Sequence, residues 1–160
     1  MSDIRLRSAA PDDVPALAAL MEGLPEWFTA EAVETVRAVA GALPGIAAVD
    51  EAGAVVGFVL WEQRPGEWEI CWIAVDKVRH RQGIGRLLMT RMLALAQEAG
   101  VGRIRVATVA PTEDYEPYAR TRAFYEAFGF AIQEIKPAGW PDGTDRADYV
   151  LDLDTARRAT

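Results

Sequence analysis

Cysteine and histidine are almost missing from this chain of 160 residues, which has one of each, Cys71 and His80. A single cysteine excludes an intrachain disulfide and fits a reducing compartment. The paired ligand spacings of a metal site are missing too, and no metal is expected. Long apolar runs are also lacking. The stretch 55–61, interrupted by Gly57, falls far short of the roughly 20 residues that a membrane span needs. Residues 1–7 show neither an apolar leader core nor a small-residue cleavage pattern. Nor is there an excess of positive charge. The net charge of −7 argues against nucleic acid or an anionic membrane as the partner. It suits a cationic substrate, although acidic surfaces commonly serve solubility alone. What remains, 51% apolar and 26% charged residues, is the composition of a globular protein. The expectation is a cytoplasmic single domain over residues 1–154 with a frayed tail at 155–160, monomeric or homodimeric.

Hydrophobic periodicity then orders the elements. Ile4-Arg5-Leu6-Arg7 alternates as a half-buried strand does. Pro11-Asp12-Asp13 is a helix start, and Val14, Leu17, Ala18, Leu20 and Met21 give that helix one apolar face. Thr29 can cap a second helix whose buried stripe is Ala32, Val33, Val36, Val39 and Ala40. Strands are predicted at 46–49, 54–61 and 68–75, joined by turns at 50–53 and 64–66. A helix at 84–99, with Leu87, Leu88, Met92, Leu93, Leu95 and Ala96 as its apolar positions, stops at Gly100. A strand at 103–109, an ordered loop at 114–118, a short helix at 121–128 and closing strands at 130–135 and 148–153 complete the chain. The order β-α-α-β-β-β-α-β-α-β-β is that of a mixed α/β fold around a central sheet.

Between the strand ending at Val75 and the helix starting at Ile84 lies a basic turn, Lys77-Val78-Arg79-His80-Arg81-Gln82, closed by Gly83-Ile84-Gly85. Glycines let main-chain N–H groups come close to a ligand. A helix N-terminus adds about half a positive charge and several unpaired donors. With Lys77, Arg79, Arg81 and Arg86 around it, the turn suits a phosphate or pyrophosphate. The dinucleotide-binding pattern G-x-G-x-x-G is excluded by Leu88 in the third glycine's place, and no G-x-x-x-x-G-K-[ST] loop is present.

The segment 75–88 closely resembles motif A of the GCN5-related N-acetyltransferase (GNAT) superfamily, whose core pattern is Q/R-x-x-G-x-G/A. Thr121-Arg122-Ala123-Phe124-Tyr125-Glu126-Ala127-Phe128-Gly129-Phe130 resembles its motif B, a helix ending in F-Y-x-x-x-G-F. Residues 4–15 look like the family's opening strand and helix start. The resemblance covers nearly the whole chain. It implies the acyl-CoA N-acyltransferase fold, a central, mostly antiparallel, twisted sheet flanked by helices. It also implies an acetyl-CoA-dependent N-acetyltransferase acting on a small-molecule or peptide amine. The pyrophosphate would sit on His80, Arg81, Gln82, Gly83, Ile84, Gly85 and Arg86, chiefly on main-chain N–H groups. The pantetheine amides would pair with Ile73, Ala74 and Val75 as an added strand would. One departure stands out. His80 occupies the place of the motif's Gln or Arg, so the resemblance does not say which side chain meets a phosphate.

Acetyl transfer needs an amine that loses a proton, a polarised thioester carbonyl and a protonated leaving thiolate. The resemblance implies Tyr125, at the motif B tyrosine, as the acid and as a cofactor contact; packing with Phe124 and Phe128 is the alternative. Glu69 is the candidate base, because 69–75 resembles the E-I-x-F-x-A-V strand whose glutamate acts through water. A carboxylate among apolar residues is suited to accept a proton near neutrality. The alternative is a strand glutamate in solvent beside Glu67. Cys71 shares the Glu69 face and reads as packing. Acceptor choice is expected from 24–28, 114–118 and 138–145, where Trp27, Tyr115, Tyr118 and Trp140 lie beside Glu26, Glu116 and Asp142. Such pairs can hold an ammonium group by cation–π attraction and charge, or simply pack under loops. A catalytically silent CoA-binding sensor or interaction module is the alternative function.

Overall fold

The computed structural model describes residues 3–153; the tail expected to fray at 155–160 lies outside them. Contacts group the described residues into one unit of 3–63 and 71–99 and a second of 64–70 and 100–153.

In the first unit, β1 (Arg5–Ser8) pairs antiparallel with β2 (Gly45–Val49), and β2 with β3 (Val55–Arg64). Helices α1 (Val14–Glu22) and α2 (Ala30–Val39) lie between β1 and β2 in the chain. Their starts follow the local chemistry. Arg7 grips Asp13 with hydrogen bonds of 2.8 and 2.9 Å, and Asp13 accepts from Ala10 N at 2.7 Å. Thr29 caps α2 by accepting from Ala32 N at 3.1 Å. Leu17, Met21, Leu24, Val33 and Val36 pack with Phe58, Leu60 and Ala74. Val39, expected in that stripe, is 38% exposed, because α2 ends there; Ala40, also expected in it, is buried in the following 3-10 turn.

Helix α3 (Ile84–Glu98) buries Ile84, Leu88, Met89, Met92 and Ala96. Leu87, expected on the buried face, is 45% exposed, because that face is centred on the Ile84–Leu88 line. The helix rests on a glycine in β3. A Cβ on Gly57 would stand 3.1 Å from Ile84 Cγ2, 3.2 Å from Ala74 O and 3.3 Å from Leu88 Cδ1. An isolated glycine inside a strand often marks such a close approach.

In the second unit, the first residues of β4 (Glu67–Val75) pair in parallel with β5 (Arg103–Val109), in register from Glu67 with Arg103 to Ile70 with Val106. Strand β7 (Arg146–Asp152) lies antiparallel to β5 and to β6 (Ala131–Lys136). Helix α4 (Glu116–Ala127) starts five residues before the predicted 121. Pro117 falls in its first turn, where a missing N–H costs nothing, and Glu116 favours the positive helix end. The loop expected at 114–118 therefore gives up Tyr118 to the helix. The strands run in the order β1-β2-β3-β4-β5-β7-β6 as a seven-stranded sheet. This is the mixed, mostly antiparallel architecture that the sequence implied.

Candidate active site

The anion turn is built from main chain held under restraint. After β4 ends at Val75, Asp76 caps a 3-10 turn, Lys77–Arg79, by accepting from Val78 N at 3.4 Å. Asp76 N donates to Val56 O at 2.8 Å, and Arg79 pairs with Asp50 at 3.3 Å, so the turn is tied to β3 and to the hairpin before it. Two residues then enter the left-handed region, Arg81 at φ 70° and Gly83 at φ 81°. For arginine that conformation costs about 1–2 kcal/mol; for glycine it is nearly free. An added Cβ at Gly83 meets nothing within 4 Å, so the dihedral and not the space requires glycine there. Gly83 is the N-cap of α3, and no side chain caps it. The N–H groups of the first helical turn, beginning at Ile84 and Gly85, have no acceptor in the helix. Together with the exposed side chains of Arg81, Gln82 and Arg86 they form a cradle for an anion.

His80 belongs to the restraint. Its Nε2 lies 2.8 Å from Val75 O. A carbonyl only accepts, so the ring carries a proton on Nε2 and donates it. Trp27, from the link between α1 and α2, meets the His80 ring edge-on at 5.6 Å and 73°. One residue earlier, Glu26 pairs with Lys77, which holds the Glu26 carboxyl below the usual carboxylate range. Trp27, expected beside an acceptor, is thus applied to the anion turn. The carbonyl of Val75, expected to face a pantetheine amide, already accepts from His80. Ala74 is buried in the core of the unit and has only its main chain to offer, while Ile73 is half-buried.

The second unit holds the tyrosine. Tyr125 is the buried residue of α4, 4% exposed, among the rings of Phe124, Phe130 and Tyr149 at 5.7, 5.8 and 6.2 Å. Burial, and after it the neighbouring Tyr118, push its phenol well above the ordinary tyrosine value. The proton therefore stays on the oxygen across the physiological range, as donation to a thiolate requires. Tyr118 precedes it by seven residues, two turns of the same helix, so both lie on one face. Its own phenol is raised by burial, by Tyr115 and by Asp142, and the Tyr115 and Tyr118 rings stand 5.6 Å apart. Tyr115 and Asp142 are thus brought together around Tyr118, which in turn neighbours Tyr125. The spacing of seven carried that signal, but a helix placed from residue 121 concealed it. Arg122 fastens α4 to the end of β5 by donating to Val109 O at 2.9 Å and Ala110 O at 3.3 Å.

Trp140 is engaged otherwise. Its Nε1 donates to Thr108 O at 3.2 Å, and the Arg146 guanidinium lies 5.4 Å over its ring. Arg146 is in turn held by the buried Asp148 at 2.8 Å. Glu69 lies on the half-exposed face of β4, between buried Trp68 and Ile70. Its carboxylate is 3.4 Å from Arg64 and its side chain is 28% exposed. An ion pair thus stands where apolar surroundings were expected. Glu67, on the same face, pairs with Arg105 at 3.8 Å. Cys71 is half-buried. Among the described residues, no group of three or more His, Cys, Asp or Glu is placed to hold a metal ion. No helix among them is long and apolar enough to cross a membrane.

Residues 16–130 match the sequence model of the acetyltransferase (GNAT) family. No curated protein matches the chain. Among solved structures, a GNAT-family protein from Desulfovibrio desulfuricans superposes with a TM-score of 0.83 at 22% identity, over 94% of this chain and 99% of that one. The ribosomal-protein-S18-alanine N-acetyltransferase from Escherichia coli gives 0.79 at 21% identity, over 94% of each chain. A Salmonella typhimurium protein solved with its cofactor acetyl-CoA gives 0.71 at 18% identity, over 96% and 95%. At these identities the superpositions speak for the fold. The family match spans well over half of the sequence and contains both the glycine turn and Tyr125, and by it the chain belongs to the GNAT acetyltransferase family.

Proposed function

We propose that the protein transfers an acetyl group from acetyl-CoA to a primary amine by direct attack while both are bound, as a cytoplasmic enzyme. The left-handed turn and uncapped start of α3 suit the pyrophosphate, which the N–H groups around Gly83–Gly85 and the side chains of Arg81 and Arg86 would hold. The main chain at Ile73, Ala74 and Val75 would align the pantetheine arm as an added strand. Acetyl-CoA supplies the activated acetyl group; the remaining tasks fall to the chain. Glu69, or a water that it orients, takes the proton released as the amine nitrogen bonds to the carbonyl carbon. Tyr125 gives its proton to the sulfur as the carbon–sulfur bond breaks, leaving an amide and CoA thiol. The observation that carries this reading is Tyr125, the buried residue of α4 at the motif B position, within the stretch that matches the family.

The S18-alanine enzyme among the neighbours acts, by its name, on a protein alanine, which keeps peptide N-termini in the acceptor class beside small amines. The Tyr115–Tyr118 pair near Asp142 would meet the acceptor. The test is release of free CoA thiol from acetyl-CoA against a panel of small amines and N-terminal peptides. Release above background with at least one amine is expected. Tight acetyl-CoA binding without any release would favour the silent sensor.

A further inference from the structure

The contact between the α1–α2 link and the anion turn goes beyond what an acetyl-CoA cradle requires. Arg81 is a non-glycine residue at φ 70°, and such strain persists only where its surroundings over-determine it. The restraints before it are successive. Arg79 N donates to Asp76 O at 2.9 Å, His80 N donates to Lys77 O at 3.3 Å, and the His80 ring donates to Val75 O at 2.8 Å. His80 is thus the last anchored residue before the strained one. Its ring is itself fixed by Trp27, and the residue before Trp27 holds Lys77 at the start of the same turn. Two adjacent residues of the link therefore grip both ends of the segment 77–80.

We propose that His80 is a positioning residue. Through its hydrogen bond to Val75 O and its ring contact with Trp27, it makes the link at 24–28 a working part of the CoA-binding turn. The inference rests on the proposed acetyl-CoA site. It says further that CoA affinity depends on Trp27, a residue outside the cradle, and that loading the turn steadies the link. A turn already held in its bound shape binds more tightly than one that must be ordered, and the coupling runs equally in both directions. This assigns a task to the histidine that stands where the motif has Gln or Arg. The side chain is spent on geometry, and the anion is left to the main chain and the arginines.

The test is calorimetric titration of CoA into wild type, His80→Leu, His80→Gln and Trp27→Ala, with amide hydrogen exchange of residues 24–28 with and without CoA. Loss of one hydrogen bond or one edge-on ring contact should weaken CoA roughly five- to tenfold. His80→Gln, which keeps a donor near Val75 O, should return to within about threefold of wild type. His80→Leu combined with Trp27→Ala should be little worse than His80→Leu alone, because both variants remove the same ring contact. In wild type, CoA should slow exchange at 24–28, and in His80→Leu it should not. Wild-type affinity in either Trp27→Ala or His80→Leu, or unchanged exchange at 24–28 on loading, overturns the coupling and leaves the acetyl-CoA reading intact. Failure of wild type to bind CoA overturns both. Should His80→Leu not fold, Trp27→Ala reads the same contact with His80 in place, and wild-type affinity there decides against the proposal.

Discussion

The glycine turn and the tyrosine face of α4 solve their tasks with opposite materials. The turn uses main chain. In the proposed site its donors would be chiefly backbone N–H groups, and the side chains of His80, Asp76 and Arg79 make contacts that restrain that backbone. In the proposed reaction the tyrosine face would use a side chain, the phenol of Tyr125, which is buried among Phe124, Phe130 and Tyr149. A change in the first region should therefore act on binding, and a change in the second on turnover.

The largest effect should come from Tyr125→Phe, which keeps the ring in its aromatic setting and deletes only the hydroxyl. Loss of a positioned proton donor costs about 10²–10⁴ in rate. On any amine found to react, kcat should fall at least a hundredfold, with the dissociation constant for acetyl-CoA within about twofold of wild type. Full turnover in this variant would reduce Tyr125 to a packing residue. It would also remove the contrast between the two regions.

An intermediate effect should come from Asp148→Asn, which probes the side-chain scaffold of the second unit. Asp148 is 3% exposed and binds Arg146 at 2.8 Å and Lys136 at 3.2 Å, and Arg146 in turn lies over Trp140. Burial pulls its carboxyl upward, but the two cations outweigh that and leave it below the ordinary aspartate value. A depressed folded-state pKa contributes stability above the unfolded value and loses it as pH falls through the folded one. Asp148→Asn should therefore lower the unfolding free energy by about 2 kcal/mol at pH 7, discounted for the partly exposed cations. The gap to wild type should shrink below about pH 4. Denaturant melts at pH 7 and pH 3 measure it, and a gap that stays constant would mean that the ion pairs contribute nothing.

How much of this was legible follows the same division. Main-chain geometry is written in residue types: Gly83 after a strand announced a turn into a helix, and Gly100 announced a helix end, with φ of 81° and 77°. Thr29 announced a cap, and Pro11-Asp12-Asp13 announced a helix start. Contacts between distant segments are not written that way. Nothing local to Trp27 marks a contact with a histidine 53 residues later, and nothing local to Trp140 marks the carbonyl of Thr108. In the sequence, both therefore left acceptor binding and packing open. The surroundings of Glu69 were misjudged for a related reason. Its strand neighbours are apolar, but alternation puts them on the other face, and Arg64 from beyond the preceding turn reaches its carboxylate. The start of α4 was missed because proline and tyrosine at 117 and 118 look like a loop unless Pro117 is placed in a first turn, where it is tolerated.

The smallest effect is also the one that best separates the two regions. Gly83→Ala adds a methyl group where nothing lies within 4 Å, so no clash can be blamed for its consequence. The cost arises from φ 81° alone, about 1 kcal/mol for a residue with a Cβ. It can appear in two places. If the turn keeps its shape, the cost is borne by folding, and thermal unfolding shifts down by a few degrees with acetyl-CoA affinity unchanged. If the turn relaxes, Ile84 N and Gly85 N lose their aim, and affinity falls roughly fivefold while stability holds. The restraints on either side, Asp76 and His80 before and the buried Ile84 and Leu88 after, favour the first outcome. In neither case should kcat at saturating acetyl-CoA change by more than about twofold, because Tyr125 is untouched. A large loss of kcat with binding intact would mean that the turn takes part in the chemical step, and the division between a binding main chain and a reacting side chain would be wrong.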